Sequence, residues 1–127
     1  MRYLLDTHVI IWYVEDSPNL PSNIAELIDD PENEVFISSI SLWEITLKVG
    51  LGKLDLKLPL NMFLENIKNR DFTFLNIENE YLNRLAGLPF VHKDPFDRLI
   101  ISSALEENLV IITIDENIKK YNVSCIW

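Results

Sequence analysis

The chain alternates, from one end to the other, between short apolar runs of strand length and longer stretches of helical patterning. Residues 2–5 form a first apolar run that stops at Asp6, and residues 9–14 are apolar on all sides, as a buried helix following that strand would be. Pro21-Ser22 opens an amphipathic stretch with Ile24, Leu27 and Ile28 at i, i+3, i+4 spacing. Residues 35–37 are a second apolar run, and helical patterning from about Ser41 to Val49 ends at Gly50-Leu51-Gly52. Residues 53–58 alternate polar with apolar and read as extended and half-exposed. The pattern then repeats: helix over 62–69, strand over 72–77, helix over 80–86, a long helix over 94–107, strand over 109–114, a short helix over 117–121 and a last strand over 123–127. Strands alternating with helices in this way specify an α/β fold with a doubly wound parallel sheet of about five strands. At 127 residues, 48% of them hydrophobic, with three Gly and six Pro, the chain reads as one domain spanning 1–127.

Several classes are disfavoured at once. No apolar run approaches the roughly 18 residues of a membrane span, and the acid at position 6 interrupts what would be the apolar core of a signal peptide. A single cysteine, Cys125, forms no internal disulfide and suits a reducing cytoplasm. Two distant histidines, His8 and His92, make a zinc site a poor expectation. The net charge of −9 speaks against nucleic acid, whose binders carry basic surface. The excess is uneven: residues 26–34 hold five acids and no base, whereas residues 48–98 hold eight bases and seven acids.

Four of the acids share one edge of such a sheet. Ligands of a parallel α/β sheet bind beyond the carboxyl ends of its strands, and Asp6 and Asp115 each follow an apolar run. Crossover helices return their N-termini to that edge; on this reading Glu44 and Asp97 lie in first helical turns. Each acid also has a purely structural role open to it. Asp6 and Asp115 are common turn residues, Ser41-x-x-Glu44 spells a capping box, and Asp94-Pro95 is a good helix start, to which Asp94 is assigned as cap. Clustered carboxylates repel and stay ionised only around a cation. An all-oxygen set selects hard ions, Mg²⁺ or Mn²⁺, which generate hydroxide from water and bind phosphates. Neither a Gly-x-Ser-x-Gly nucleophile nor a phosphate-binding glycine loop is present.

The segments Leu4-Leu5-Asp6-Thr7-His8, Ser41-Leu42-Trp43-Glu44-Ile45, His92-Lys93-Asp94-Pro95-Phe96-Asp97-Arg98 and Ile112-Thr113-Ile114-Asp115 together resemble the PIN-domain ribonucleases. Among these they look most like the VapC-type toxins of toxin–antitoxin pairs, over the whole chain and in order. The resemblance implies a Mg²⁺- or Mn²⁺-dependent endoribonuclease leaving 5′-phosphate and 3′-hydroxyl ends. It makes Asp6, Glu44, Asp97 and Asp115 the catalytic, metal-holding quartet and Thr7 and Thr113 pocket-lining hydroxyls. It further implies an RNA substrate, a cognate antitoxin protein, a homodimer and a cytoplasmic location.

Lys48, Lys53, Lys93 and Arg98 flank these motifs and could touch phosphates. Arg98 could equally pair with a carboxylate, and Lys48 stands at i+4 from Glu44, where a helix-surface pair is the alternative. His8 and His92 read as structural or surface residues, and Trp12, Trp43 and Trp127 as core or interface anchors. Two rival functions come from the same acids. A Mg²⁺-binding receiver domain needs adjacent acids at the first strand and a lysine ending a late one; Asp6 is instead followed by Thr7-His8. The other is a catalytically silent PIN-fold interaction module, against which the intact quartet speaks.

Overall fold

Tyr3, Leu4 and Leu5 are buried although they point alternately to opposite sides, as a central strand covered on both faces requires. The computed structural model describes residues 1–127, and its elements run β1 (Arg2–Leu5), α1 (Thr7–Val14), α2 (Ser22–Asp29), β2 (Glu34–Ser38), α3 (Ser39–Gly50), α4 (Leu60–Lys68), β3 (Thr73–Leu75), α5 (Asn79–Ala86), α6 (Pro95–Glu107), β4 (Val110–Ile112), α7 (Glu116–Lys119) and β5 (Cys125–Ile126). The five strands form one sheet in the order β3-β2-β1-β4-β5, every pairing parallel. The chain steps outward from β1 to β3 and then restarts on the other side of β1 with β4. The crevice between β1 and β4 is therefore the topological switch point, where ligands of such sheets bind.

Two apolar layers sandwich the sheet. On one side Tyr3, Leu5, Val35, Ile37 and Ile112 meet Val9 and Ile10 of α1, Ile24 and Ile28 of α2, Ile45 of α3, and Phe63 and Ile67 of α4. On the other, Leu4, Phe36 and Ile111 meet Tyr81 of α5, Ile100, Ile101 and Ala104 of α6, and Ile118 of α7. Burying a large apolar side chain such as Phe63 contributes about 1.5–3 kcal/mol.

The elements expected from the sequence are present, with β3, β4 and β5 each shorter than the apolar runs suggest. One local expectation is corrected. The third helix begins at Ser39, because β2 turns directly into α3 and the Ser38 side chain takes the cap by accepting the Ile40 amide at 3.1 Å. Ser41 is then an inward-facing helical residue, not a cap, and Glu44 lies in the second turn, so neither the capping box nor the first-turn placement holds. The start of α6 is as read: Asp94 accepts the amides of Phe96 at 2.8 Å and Asp97 at 3.2 Å, with Pro95 opening the helix. Residues 53–58 form no strand; their exposed and half-buried side chains alternate along the edge of the α-layer.

Candidate metal centre

Asp6 is 3% exposed at the end of β1, where its carboxylate is fixed from two directions. The Thr7 amide donates to Oδ1 at 2.7 Å, making Asp6 the cap of α1, and the Thr113 hydroxyl donates to Oδ2 at 2.7 Å across the switch point. Thr113, fully buried just beyond β4, also accepts the Asp115 amide at 2.9 Å, so one hydroxyl sets the spacing of the two strand-end acids. Asp115 in turn caps α7 through the Asn117 amide at 2.8 Å. Glu44 reaches the same region from α3, 3% exposed. Thr7 donates to its Oε1 at 2.8 Å, while Thr7 Oγ1 also lies 3.0 Å from the Ser41 hydroxyl. Asp97 enters from the first turn of α6 and is 8% exposed.

The carboxylates influence one another. Burial, then the charge of Asp6, pushes Asp97 up to about 7, with further upward contributions from Asp94 and Glu44 and a downward one from its hydrogen bond to His92. Desolvation raises Asp6 above the ordinary carboxylate range; the Thr113 and Thr7 hydrogen bonds and nearby His8 oppose this, and Asp115 adds to it. Carboxylates driven toward the neutral form by burial and mutual repulsion lack a positive charge. Their oxygen donors are those hard divalent ions prefer. The residues present therefore fit such an ion.

All four acids are brought to one place, though not equally. The donor atoms of Asp97 and Asp115, together with one from His92, lie within 4.8 Å of one another. The oxygens of Asp6 accept from Thr7 and Thr113, and those of Glu44 from Thr7 and Lys48. His92 is the residue that reading the sequence undervalued: its Nε2 lies 2.8 Å from Asp97 Oδ2, and its side chain is only 14% exposed. The signal available was its position two residues before the α6 cap, which places it at the mouth of the acidic edge.

The basic candidates separate. Lys48 donates to Glu44 Oε2 at 2.5 Å, the helix pair rather than a free phosphate contact, and this bond chiefly raises its pKa. Lys48 and Lys53 both border a cavity of about 170 Å³ beside Glu44 and Thr7. Lys93 is exposed next to His92. Arg98 fits neither expected role: it is 7% exposed and donates to the Pro89 carbonyl at 2.9 Å, the Leu88 carbonyl at 3.3 Å and the Tyr121 hydroxyl at 3.0 Å. Among the aromatic residues, Trp12 packs on Trp127 with ring centroids 5.8 Å apart, as an anchor should. Trp43 is 58% exposed beside Phe96.

A doubly wound parallel sheet carrying clustered carboxylates at its switch point defines a class of hard-cation α/β domains. The chain belongs to the PIN domain family, whose model matches residues 3–123. It is similar to Ribonuclease VapC22 of Mycobacterium tuberculosis, with 24% identity over 119 residues, covering 93% of this chain and 90% of that protein. Its fold is that of the VapBC2 crystal structure from Rickettsia felis, solved bound to a promoter DNA fragment, with TM-score 0.75, 23% identity, and 99% and 98% of the two chains covered. FitAcB from Neisseria gonorrhoeae is also similar in fold, with TM-score 0.69, 20% identity, and 98% and 96% coverage. No helix is long and apolar enough to cross a membrane.

Proposed function

We propose that this chain is a metal-dependent endoribonuclease, the toxin of a toxin–antitoxin pair, cutting RNA phosphodiesters to 5′-phosphate and 3′-hydroxyl ends. The observation that carries the reading is the meeting of Asp6, Glu44, Asp97 and Asp115 at the β1/β4 switch point, where burial and neighbouring acids push Asp6 and Asp97 above the ordinary carboxylate range. Kinship with a protein named a ribonuclease supports RNA as substrate. Asp97 and Asp115 would hold Mg²⁺ or Mn²⁺, with Asp6 and Glu44 completing the negative surround. When bound, the ion supplies a water activated near neutral pH and positive charge for the developing phosphorane. Thr113 and Thr7 orient the acids of β1, β4 and α3, and Lys48 neutralises one charge of the cluster. The expected result is RNA cleavage in Mg²⁺ or Mn²⁺ that stops in excess EDTA. Full activity in EDTA sinks the metal mechanism, and tight antitoxin binding without any cleavage supports a silent interaction module instead. Sequencing 5′-phosphate ends after brief expression identifies the RNA.

The partner we infer is a small antitoxin. Trp43 at 58% exposure and Phe74 at 41% surround an apolar groove with Leu42, Leu64 and Ile67, a surface suited to a protein rather than to RNA. Structures in which fold relatives are solved as VapBC complexes favour the same partner class. Co-purification from the native operon identifies that partner, and light scattering on the free toxin checks the expected homodimer. We place the pair in the cytoplasm, where RNA is met and Cys125 stays reduced.

A further inference from the structure

Two side chains from elsewhere in the fold between them hold every residue of the 88–92 loop. Arg98, in the first turns of α6, donates to the carbonyls of Leu88 at 3.3 Å and Pro89 at 2.9 Å and lies 4.2 Å from the centre of the Phe90 ring. Tyr121, just past α7, donates its hydroxyl to the Pro89 carbonyl at 2.7 Å and accepts the amides of Val91 at 3.1 Å and His92 at 2.9 Å. The two side chains also bond each other at 3.0 Å. Both are nearly sealed from solvent, at 7% and 6% exposure.

Arg98 forms no ion pair, and its guanidinium bonds only neutral oxygens. Burying a charge without a counter-ion is unfavourable unless its hydrogen bonds are well made. The planar fork makes them here in a way a lysine does not, because one group must reach two successive carbonyls and a phenol. Three of the five guanidinium N–H donors are thereby spent on the protein itself.

The three segments joined by this hub are the three that supply the closest donor atoms of the site. Asp97 immediately precedes Arg98, Asp115 caps the helix that ends before Tyr121, and His92 closes the gripped loop. Their donor atoms lie within 4.8 Å of one another. We infer that Arg98 and Tyr121 are positioning residues of the acidic centre, holding the 88–92 loop so that His92 Nε2 meets Asp97 Oδ2 beside Asp115. An ionised Asp97 would accept the His92 imidazole N–H on Oδ2 and keep its other oxygen for a divalent cation, the hydrogen-bonded arrangement that orients metal-binding carboxylates. The inference rests on the reading of Asp97 as a metal ligand.

The test is a double-mutant cycle of Tyr121→Phe and His92→Ala in the full chain, with Arg98→Lys alongside. It reads kcat for RNA, the Mn²⁺ concentration at half-saturation measured by thermal shift, and the salt dependence of RNA binding. Tyr121→Phe keeps the ring that packs against the α5–α6 layer and removes only the hydroxyl. Each single variant is expected to weaken Mn²⁺ binding or kcat by about 10- to 100-fold. The double variant should match His92→Ala alone, since Tyr121 acts through His92, and KM for RNA should stay constant. Arg98→Lys should behave as Tyr121→Phe and leave the salt slope of binding unchanged, whereas losing a phosphate contact lowers that slope by about 0.7–0.9. Folded Tyr121→Phe protein with wild-type kcat and Mn²⁺ affinity, fully additive effects in the double variant, or a reduced salt slope for Arg98→Lys each overturns the inference. A wild type that neither cleaves RNA nor binds Mn²⁺ refutes the nuclease reading and takes this inference with it. A wild type that does both, beside an indifferent Tyr121→Phe, refutes the inference alone.

Discussion

Replacing Asp97 by Asn should raise the stability of the metal-free protein while abolishing its activity. The magnitude follows from the ionisation of Asp97, pushed by burial and the Asp6 charge up to about 7 in the folded chain from an ordinary value of 3.8. A group whose folded pKa is raised contributes its stability below the unfolded value and loses it as pH rises through the folded one. EDTA-treated protein is therefore free of the Asp97 penalty near pH 4 and bears it in full by about pH 8. The penalty is about 4 kcal/mol at most, at 1.36 kcal/mol for each factor of ten in the ionisation constant, and mutual adjustment of the neighbouring acids reduces it. Asn has the shape of Asp and can still bond His92, so the variant should gain about 1–3 kcal/mol at pH 8. That is a rise in melting temperature of roughly 3–5 °C for each kcal/mol in a domain of this size.

The assay is thermal melting of both proteins in EDTA at pH 5 and pH 8, then at pH 8 with Mg²⁺, together with RNA cleavage. The gain should shrink at pH 5, where wild-type Asp97 has already taken up its proton. Mg²⁺ should restore the wild type, by about 2.7 kcal/mol at one hundred times its dissociation constant, and leave the variant nearly unmoved. An Asp97→Asn protein that is less stable at pH 8, or whose gain is the same at both pH values, refutes the account of the cluster as repelling carboxylates. Cleavage at the wild-type rate refutes the assignment of Asp97 itself.

Asp94→Asn should keep substantial cleavage activity and stability, because Asn caps about as well as Asp; Asp94→Ala should lose about 1 kcal/mol in chemical denaturation with activity still present. Thr113→Val should cost about 1–3 kcal/mol in the same measurement, since Asp6 Oδ2 and the Asp115 amide both lose a buried partner, and RNA cleavage should fall with it. Phe63→Ala should cost about 3–5 kcal/mol by leaving a cavity under α4, without altering the Mg²⁺ dependence of whatever folded protein remains.

The sheet was legible because its strands are buried on both faces, and such strands appear in a sequence as unbroken apolar runs. Residues 2–5 and 35–37 needed no long-range information to be placed, and the run over 109–114 was likewise placed although β4 occupies only Val110–Ile112 of it. The outer strands β3 and β5 were legible in position but not in length, because pairing on one side alone ends where the neighbour ends. Strand order was not readable at all. Which strand flanks β1 depends on the whole packing of α-layers, and the placement of β4 beside β1 is what brings Asp115 to Asp6. The start of α3 was misplaced for a local reason: three serines, Ser38, Ser39 and Ser41, stand near the boundary, and the one that caps is Ser38, still in the strand.

The acids themselves show why a residue pattern identified the centre and left its wiring hidden. In sequence Asp6 and Asp115 read as either strand-ending turn residues or metal ligands, and the structure adds a third role by using each side chain as a helix cap: Asp6 receives the Thr7 amide and Asp115 the Asn117 amide. A carboxylate has two oxygens and about four acceptor sites, so holding a helix start consumes part of its capacity and fixes its direction at the same time. Helix N-termini also favour negative charge, which offsets part of the repulsion that gathering four acids creates. Capping thus orients the cluster rather than competing with it. Supporting residues have no such local signature. Thr113 lies 107 positions from the Asp6 oxygen it bonds, and Tyr121 lies 29 from the His92 amide. Arg98 follows Asp97 in sequence but turns away from it in space, toward carbonyls that no spacing rule would connect to it.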